Sequence, residues 1–239
     1  MDDTYIRDFQ KYFLKGIWHI FIKQWFWRWP VKNKRIDYQA SKLRRKDLVE
    51  SPVEMFQIWF EQVKGIHSFE STAMTLSTSN KDGKPSSRVV LLKGYGESGF
   101  VFYTNYESRK GREIEENPYG SLNFYWPSLE RQVRINGKLR KVSHSRSKEY
   151  FRSRPLRSQI AALASNQSGE IENRNALKNK FAELEKEFEG RDVPLPENWG
   201  GYRLEHRKVE FWQGRQDRLH DRFVYTKNGT IWQIKRLAP

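Results

Sequence analysis

Basic side chains in this sequence cluster with hydroxyl and amide donors, a combination that suits phosphate binding. Arg88 and Lys93 bracket an apolar run. Unless a bulge intervenes, period-two alternation along a strand would place them on opposite faces, where they could serve two different anions. Ser108-Arg109-Lys110 offers two cations at an expected helix start, where free backbone amides also attract anions. Each group taken singly could also be a solvated basic face. Together they predict binding of anionic small molecules.

A second set of donors recurs every four residues, at Tyr150, Arg154 and Ser158. On one helix side this spacing would present a phenol, a guanidinium and a hydroxyl to the same ligand. Arginine binds phosphate through a two-pronged fork, and the hydroxyls add further donors. Pro155 interrupts the helix, so we expect a bend there.

The densest cluster is Arg218-Leu219-His220-Asp221-Arg222, which follows Phe211-Trp212. Alternation along a strand would place Arg218, His220 and Arg222 on one face. Arginine and histidine can bracket a flat, partly anionic ring by stacking and hydrogen bonding. A surface hairpin of mixed charge is the alternative.

Two other patterns predict no site. Residues 94–99 match G-x-G-x-x-G, but the following Phe-Val-Phe-Tyr-Thr is typical of a strand, so no helix N-terminus is available for a pyrophosphate. We interpret this segment as a hairpin turn. The five histidines are scattered and cysteine is absent, so we expect no metal site.

Composition narrows the class of protein. The chain has 239 residues, 44 Lys+Arg against 29 Asp+Glu, and a formal net charge of +15, which predicts anionic partners: nucleic acid, an anionic membrane or phosphorylated small molecules. The length suits one or two domains. The absence of cysteine excludes a disulfide framework and a thiol nucleophile. Without a secretory signal, the expected location is the cytoplasm.

These side chains must be positioned by a mainly β fold. Alternation predicts strands at residues 73–79, 88–92, 100–103, 121–126 and 132–142, with more in the tail and a hairpin turn at Asn228-Gly229. A helix is expected after the cap Ser51-Pro52, a short one after Ser108, and others near residues 145–152, 155–164 and 175–188. The pattern favours an antiparallel barrel with helical additions.

The first 34 residues differ from the rest. They hold Trp18, Trp25, Trp27 and Trp29, and aromatic or apolar residues recur every four positions. This predicts a helix that packs on the body or on a partner subunit. Contact of residues 1–34 with a membrane surface is the less favoured alternative.

From about residue 35 to the C-terminus, the sequence resembles the pyridoxine/pyridoxamine 5′-phosphate oxidases. The segments that carry the resemblance occur in order, and residues 1–34 fall outside it. They include Leu43-Arg44-Arg45-Lys46-Asp47-Leu48, residues 88–93, Ser108-Arg109-Lys110, Tyr150-Phe151-Arg152-Ser153-Arg154-Pro155, Trp199-Gly200-Gly201, Glu210-Phe211-Trp212-Gln213-Gly214, residues 218–222 and the terminal Arg236-Leu237-Ala238-Pro239. We therefore expect residues 35–239 to form one oxidase domain and residues 1–34 to be an atypical extension.

The resemblance implies an FMN-binding split β-barrel, active as a homodimer with two FMN sites at the interface. It implies oxidation of pyridoxine 5′-phosphate and pyridoxamine 5′-phosphate to pyridoxal 5′-phosphate, in vitamin B6 biosynthesis. Hydride would pass to FMN, and reoxidation by O2 would give H2O2. The preference between the alcohol and the amine, and the presence of a regulatory pyridoxal-phosphate site, stay open.

The resemblance also implies roles for residues, which depend on their positions in the family's motifs. The implied FMN contacts are Arg88, Val89, Val90, Leu91, Leu92, Lys93, Tyr103, Thr104, Arg109, Lys110, Gln132, Gln167, Ser168, Trp212 and Arg222. The implied substrate contacts are Arg35, Tyr38, Lys93, Tyr150, Arg154, Ser158, Arg218, Leu219 and His220. Arg218 and His220 are the implied catalytic residues, next to the substrate ring. Arg35 and Tyr38 belong to a segment that can close over the substrate, although Ile36 is apolar where some relatives carry a second arginine.

Two alternatives belong to other classes. One is an FMN-binding split-barrel protein with another substrate or none. It would keep the FMN residues but lack two sets, Tyr150, Arg154 and Ser158, and Arg218 and His220. The other is a nucleic-acid-binding module driven by the net charge, which would show aromatic and basic residues interleaved on one sheet.

Overall fold

One antiparallel sheet carries most of the structure. The computed structural model describes residues 37–66 and 70–239. In this part the strands are β1 Ala73–Ser79, β2 Pro85–Leu91, β3 Gly94–Gly96, β4 Gly99–Asn105, β5 Tyr119–Trp126, β6 Arg131–Lys141, β7 Trp199–Gln213, β8 Asp221–Asn228 and β9 Ile231–Leu237. Their order is β2-β1-β5-β6-β7-β4-β3, and β8 and β9 continue from β7. The prediction of a mainly β fold with helical additions is confirmed.

Helices join the strands at the predicted places. They are α1 Pro52–Lys64, α2 Arg109–Glu116, α3 His144–Ser153, α4 Leu156–Ala164 and α5 Arg174–Glu187. The predicted cap at Ser51 is confirmed, because its side chain accepts hydrogen bonds from the backbone N–H groups of Val53 and Glu54. Ser108 caps α2 in the same way, through the N–H of Gly111.

The long strand β7 divides its neighbours. One edge pairs with β6, while the other is shared by β4 over residues 199–204 and by β8 over residues 208–213. The sheet therefore branches along this strand. Side chains at the start of β7 therefore lie beside β4, and those at its end lie beside β8.

The core lies between α1 and the sheet. Phe56 is fully buried, and its ring centroid lies 4.9 Å from that of Phe100 and 5.1 Å from that of Phe124. Burial of each such ring contributes roughly 2–3 kcal/mol. The apolar face of α1 therefore anchors the sheet that carries the site.

A smaller core supports the second predicted set of donors. Phe151, Ile160, Val193 and Trp199 are buried together where α3 and α4 meet the start of β7. The stretch from Val193 to Pro196 is irregular, as the prolines predict. This packing fixes the end of α3 against the sheet.

The two turn predictions have different outcomes. Gly96 pairs with Gly99, so the glycine-rich segment is the expected hairpin turn. In the last hairpin Asn228 pairs with Ile231. The turn residues are therefore Gly229 and Thr230, one position later than predicted. Gly229 has φ of 61°, a left-handed conformation that suits glycine.

Residues 1–34 lie outside the described part of the chain. The predicted N-terminal helix and the domain boundary therefore stay predictions. In residues 37–66 and 70–239, no helix is long and apolar enough to cross a membrane. The cytoplasmic location also stays a prediction.

His206 makes folding sensitive to acid. Its ring lies parallel to that of Trp232 at 5.4 Å, and neither ring nitrogen has a hydrogen-bond partner among the described residues. Burial, and then the charge of Lys227, lower the pKa of His206 below its usual 6.5, although Glu97 opposes this. The unfolded state therefore binds the proton more readily, and we expect stability to fall as the pH decreases below about 6.5.

Replacing His206→Phe keeps the ring stack and removes the titration. In urea unfolding between about pH 5 and pH 8, the variant should lose less stability on acidification than the parent. The exposed His144→Phe is the control and should follow the parent. Equal acid sensitivity in the parent and His206→Phe would contradict this role.

Candidate active site

A cleft of about 1020 Å³ lies between the β2 and β4 side of the sheet and the helices α2, α3 and α4. Most of the predicted FMN and substrate contacts line it. These are Arg88, Val89, Val90, Leu91, Lys93, Tyr103, Thr104, Arg109, Lys110, Tyr150, Arg154, Ser158, Gln167 and Ser168. The structure therefore brings three separate sequence clusters to one place.

Arg88 and Lys93 both line this cleft, and so do residues 89–91 between them, so lining alone does not decide which strand face each side chain takes. Strand β2 ends at Leu91, so the alternation does not extend to Lys93. Leu92 is only 4% exposed, packs in the core and does not line the cleft. Its side chain thus serves the fold, whereas its neighbours on both sides reach the cleft.

A buried carboxylate organises two of the cations. Glu113 accepts hydrogen bonds from Arg88 at 3.3 Å and from Arg109 at 2.9 Å. Burial opposes its ionisation, but hydrogen bonds from Ser86, Thr78, Arg109 and Arg88 outweigh it and lower the pKa of Glu113 to about 2. The carboxylate is therefore charged at any physiological pH.

Lys110 supplies a buried positive charge with neutral partners. Its Nζ donates to Thr104 Oγ1 at 3.1 Å, Ser108 Oγ at 3.0 Å and Gln167 Oε1 at 3.1 Å. Burial, and then the neighbouring Arg88, lower its pKa to about 8. An anion in the cleft would stabilise this ammonium group.

Gly111 sets the position of this lysine. A Cβ atom at Gly111 would lie 1.8 Å from the carbonyl oxygen of Tyr106. Only glycine allows α2 to start this close to the end of β4. The close approach places Lys110 beside Thr104.

The opposite wall holds an aromatic stack and an arginine. The rings of Tyr103 and Tyr150 lie 3.9 Å apart and nearly parallel. The guanidinium of Arg154 lies 4.8 Å above the ring of Trp199, and its Nη1 is buried with no hydrogen-bond partner among the described residues. Tyr150 lies on α3, Arg154 follows α3 and Ser158 lies on α4, so the predicted bend at Pro155 is confirmed.

The remaining predicted residues form a second cluster, the β7–β8 group, outside the lining of the cleft. Gln132, Trp212 and Arg222 occupy one cross-strand row on β6, β7 and β8. The ring of His220 lies 4.6 Å from that of Trp212 and 5.8 Å from that of Tyr38. The described members of this group are Tyr38, Gln132, Trp212, Arg218, Leu219, His220 and Arg222.

Arg218, His220 and Arg222 do not share a strand face as expected. Residues Gln216–Arg218 form a single helical turn, and β8 begins only at Asp221. Asp217 and Arg218 have φ of 54° and 62°. Such left-handed conformations cost non-glycine residues about 1–3 kcal/mol each and cluster at functional sites. This turn therefore sets the direction of Arg218.

His220 is held in a defined protonation state. The backbone N–H of Arg215 donates to its Nδ1 at 3.1 Å. Burial, and then the charges of Arg218 and Arg222, lower the pKa of His220. The ring is therefore neutral at pH 7 and carries its proton on Nε2, which leaves that N–H to donate to a ligand.

Comparison with known proteins identifies the family. Residues 61–187 match the family model described as "Pyridoxamine 5'-phosphate oxidase". Residues 199–239 match the model described as "Pyridoxine 5'-phosphate oxidase C-terminal dimerisation region". The chain is 50% identical over 207 residues to a pyridoxine/pyridoxamine 5′-phosphate oxidase of Cytophaga hutchinsonii, covering 86% of this chain and 96% of that one.

The chain belongs to the pyridoxine/pyridoxamine 5′-phosphate oxidase family. A second member, from Rubrobacter xylanophilus, is 49% identical over 212 residues, covering 89% of this chain and 98% of that protein. The split β-barrel of this oxidase family, its enzyme activity and its FMN cofactor follow from this membership.

Solved structures agree with the fold of the oxidase family. PhzG from Burkholderia lata, in complex with tetrahydrophenazine-1-carboxylic acid, aligns with a TM-score of 0.77 at 32% identity over 81% of this chain and 95% of that one. A pyridoxamine 5′-phosphate oxidase-related, FMN-binding protein from Nostoc punctiforme aligns with a TM-score of 0.63 at 16% identity, covering 80% of this chain and 100% of that one. The latter supports the fold alone.

The cleft fits the FMN of the oxidase family in its chemistry. It holds the buried ammonium of Lys110 and an aromatic wall at Tyr103, and its volume is at the upper end of the range for cofactor sites. A phosphate would give Lys110 an anion in direct contact, whereas its described hydrogen-bond partners are neutral. The flat ring system of FMN would cover the aromatic wall at Tyr103.

Three residues that hold the cleft's side chains in place, Glu113, Ser86 and Trp199, were not among the FMN and substrate contacts predicted from the sequence. Glu113 joins β1, β2 and α2, and its position four residues after Arg109 was the available signal. Ser86 supports Arg88, but no local pattern distinguishes it from other strand serines. Trp199 was visible only as part of a motif. Arg35 lies outside the described residues, so its role stays a prediction.

The charge of Lys110 makes FMN binding depend on pH. As the pH rises through about 8, the apoprotein lysine loses its proton, so FMN affinity should fall. Arg88 and Glu113 are the charged groups that face it. Flavin fluorescence titrations of the apoprotein between about pH 7 and pH 9.5 measure this effect.

Lys110→Arg should remove the decline, since a guanidinium stays protonated throughout this range. The exposed Lys148→Arg is the matched control and should keep the parental profile. A parent whose FMN affinity is constant across this range would contradict the assignment.

Proposed function

We propose that this chain oxidises pyridoxine 5′-phosphate and pyridoxamine 5′-phosphate to pyridoxal 5′-phosphate, with FMN and O2. The observation that carries the proposal is a single cleft with two separate anion-binding groups. One surrounds Lys110, and the other consists of Tyr150, Arg154 and Ser158. FMN, when bound, would supply the acceptor for hydride from the substrate C4′ carbon, and its reoxidation by O2 with uptake of two protons would yield H2O2. With the amine substrate, water would hydrolyse the imine product and ammonia would leave.

The cofactor phosphate is assigned to Arg88, Arg109 and Lys110. The two guanidiniums and the ammonium line the same end of the cleft as the start of α2, where helix amides favour an anion. Thr104 and Gln167 hold Lys110 and add polar groups beside it. The chain's contribution is therefore to fix the cofactor before the substrate arrives.

The substrate phosphate is assigned to Arg154, with Tyr150 and Ser158. The ring of Trp199 packs against the guanidinium. The buried Nη1 of Arg154 has no partner within residues 37–66 and 70–239 and is available as a donor. A phosphate accepts a two-pronged hydrogen bond from such a group. This cradle distinguishes a phosphorylated substrate from an unphosphorylated one.

The β7–β8 group is assigned to the partner subunit of a homodimer. The family region for dimerisation, residues 199–239, contains Trp212, Arg218, His220 and Arg222, none of which lines the cleft of the single chain. Trp199 and Trp212 lie near opposite ends of β7, roughly 40 Å apart along the strand. A second copy can therefore bring its β7–β8 group to the cleft.

In that arrangement, Arg218 and His220 act on the substrate ring. The neutral His220 donates from Nε2, and Arg218 orients the ring and stabilises the charge that develops as hydride is transferred. The strained turn at Arg218 fixes the direction of the guanidinium before substrate binds. Neither residue has to remove a proton from carbon, because the cofactor takes the hydride.

Arg154→Ala tests the substrate assignment. We expect KM for pyridoxine 5′-phosphate to rise roughly 10–100-fold with little change in kcat, because the lost contact is shared by the ground and transition states. The measurement is formation of pyridoxal 5′-phosphate and H2O2, with unphosphorylated pyridoxine for comparison. Arg152→Ala, whose side chain is 61% exposed, is the control.

An unchanged KM in Arg154→Ala would refute the phosphate role. A parent enzyme that loads FMN but forms no pyridoxal 5′-phosphate would refute the proposed function itself.

Mixed dimers test the shared site. Lys110→Ala should disable the cleft and Arg218→Ala the β7–β8 group, so each homodimer should be inactive. Co-expression of the two chains with different tags yields a mixed dimer in which one site has both intact parts. It should recover about half of the wild-type activity, because a twofold dimer has two equivalent sites. Mixed dimers as inactive as the two homodimers would show that each chain completes its own site.

A further inference from the structure

Glu113 lies at the centre of a hydrogen-bond network that the chemistry of oxidation does not require. Its side chain is 7% exposed and accepts from Thr78 on β1, from Ser86 and Arg88 on β2, and from Arg109 on its own helix α2. The strands β1 and β2 and the helix α2 are therefore joined through one carboxylate, and β2 and α2 line the cleft.

The two carboxylate oxygens divide the arginines between them. Oε1 accepts from Nε of Arg109 at 2.9 Å, and Oε2 accepts from Nη2 of Arg88 at 3.3 Å. Arg88 is also tied by its Nη1 to Thr78 Oγ1 and by its Nη2 to Ser86 Oγ. Rotation of either arginine away from the cleft would break a bond to Glu113.

Arg109 keeps its bidentate edge for a ligand. Only its Nε bonds to Glu113, its side chain is 62% exposed, and it lines the cleft. Both Nη groups can therefore donate to a phosphate while Nε stays anchored. An arginine held in this way loses less side-chain entropy on binding than a free one.

We propose that Glu113 is a positioning residue for the cofactor phosphate: by holding Arg88 and Arg109 in place, it makes the cleft prefer FMN to riboflavin. The inference rests on the proposed function, since it assumes that these arginines face the phosphate of FMN. Glu113 is negatively charged and would repel a phosphate, so its effect on FMN binding must act through the two arginines.

Charge alone predicts the opposite effect. Glu113 is an anion close to the site of a dianionic phosphate, so its neutralisation would strengthen FMN binding if simple attraction decided the outcome. Positioning predicts weaker binding, because both arginines lose their anchor. Riboflavin has no phosphate and should be insensitive to either effect.

The experiment compares FMN and riboflavin binding to the full-length apoprotein by flavin fluorescence. In Glu113→Gln, the Kd for FMN should rise roughly tenfold or more, as for the loss of a charge-assisted hydrogen bond, while the Kd for riboflavin stays within about twofold. Glu115→Gln is the matched control, since it makes the same charge change at an exposed position of α2. It should leave both affinities unchanged.

Glu113→Asp provides a second variant that keeps the charge. Its shorter side chain cannot reach both arginines, so positioning again predicts weaker FMN binding and unchanged riboflavin binding. This variant also serves if Glu113→Gln does not fold, as judged by circular dichroism and thermal unfolding.

Three results would overturn the proposal. Tighter or unchanged FMN binding in Glu113→Gln would show that positioning does not decide affinity. Equal weakening of FMN and riboflavin would reduce Glu113 to a structural residue. A parental apoprotein that binds neither flavin would refute the proposed function together with this inference, whereas the first two results leave the proposed function intact.

Discussion

The concentration of positive charge at one end of the cleft is the constraint on which the site depends. Arg88, Arg109 and Lys110 converge there, and like charges near a protein surface repel by several kcal/mol at close range, about 4 kcal/mol at 4 Å. Glu113 offsets two of them, whereas Lys110 has only neutral hydrogen-bond partners. Among the described residues no carboxylate bonds to Lys110 directly, and a bound phosphate would supply an anion in contact with it.

Strand β7 extends from the wall of the cleft to the β7–β8 group. Its first half pairs with β4 and carries Trp199, which supports Arg154. Its second half pairs with β8 and ends at the loop that holds Arg218 and His220. Trp199 and Trp212 lie near opposite ends of this strand, and in one chain the β7–β8 group does not line the cleft. The matched dimerisation region, residues 199–239, covers both halves, which supports the proposal that two copies complete the site.

Short-range sequence patterns predicted most helices and strands correctly but were less accurate about where they end. The cap at Ser51, the bend at Pro155 and most strands follow from short-range patterns, and the structure has them. Alternation does not extend to Lys93, because β2 ends two residues earlier, and it failed for Arg218, because a left-handed turn replaces the strand. The convergence of side chains from distant segments was available only through the family resemblance. Glu113 was missed because its partners Thr78 and Ser86 lie far from it in sequence and meet it only through sheet packing.

The central claim is that the cleft holds FMN and a phosphorylated pyridoxine in position for oxidation. The most direct measurement is the visible absorption spectrum of the FMN-loaded protein, under anaerobic conditions, before and after addition of pyridoxine 5′-phosphate. The account predicts that the flavin bands bleach on addition and return when air is admitted. Flavin bands that persist after the substrate is added would contradict it.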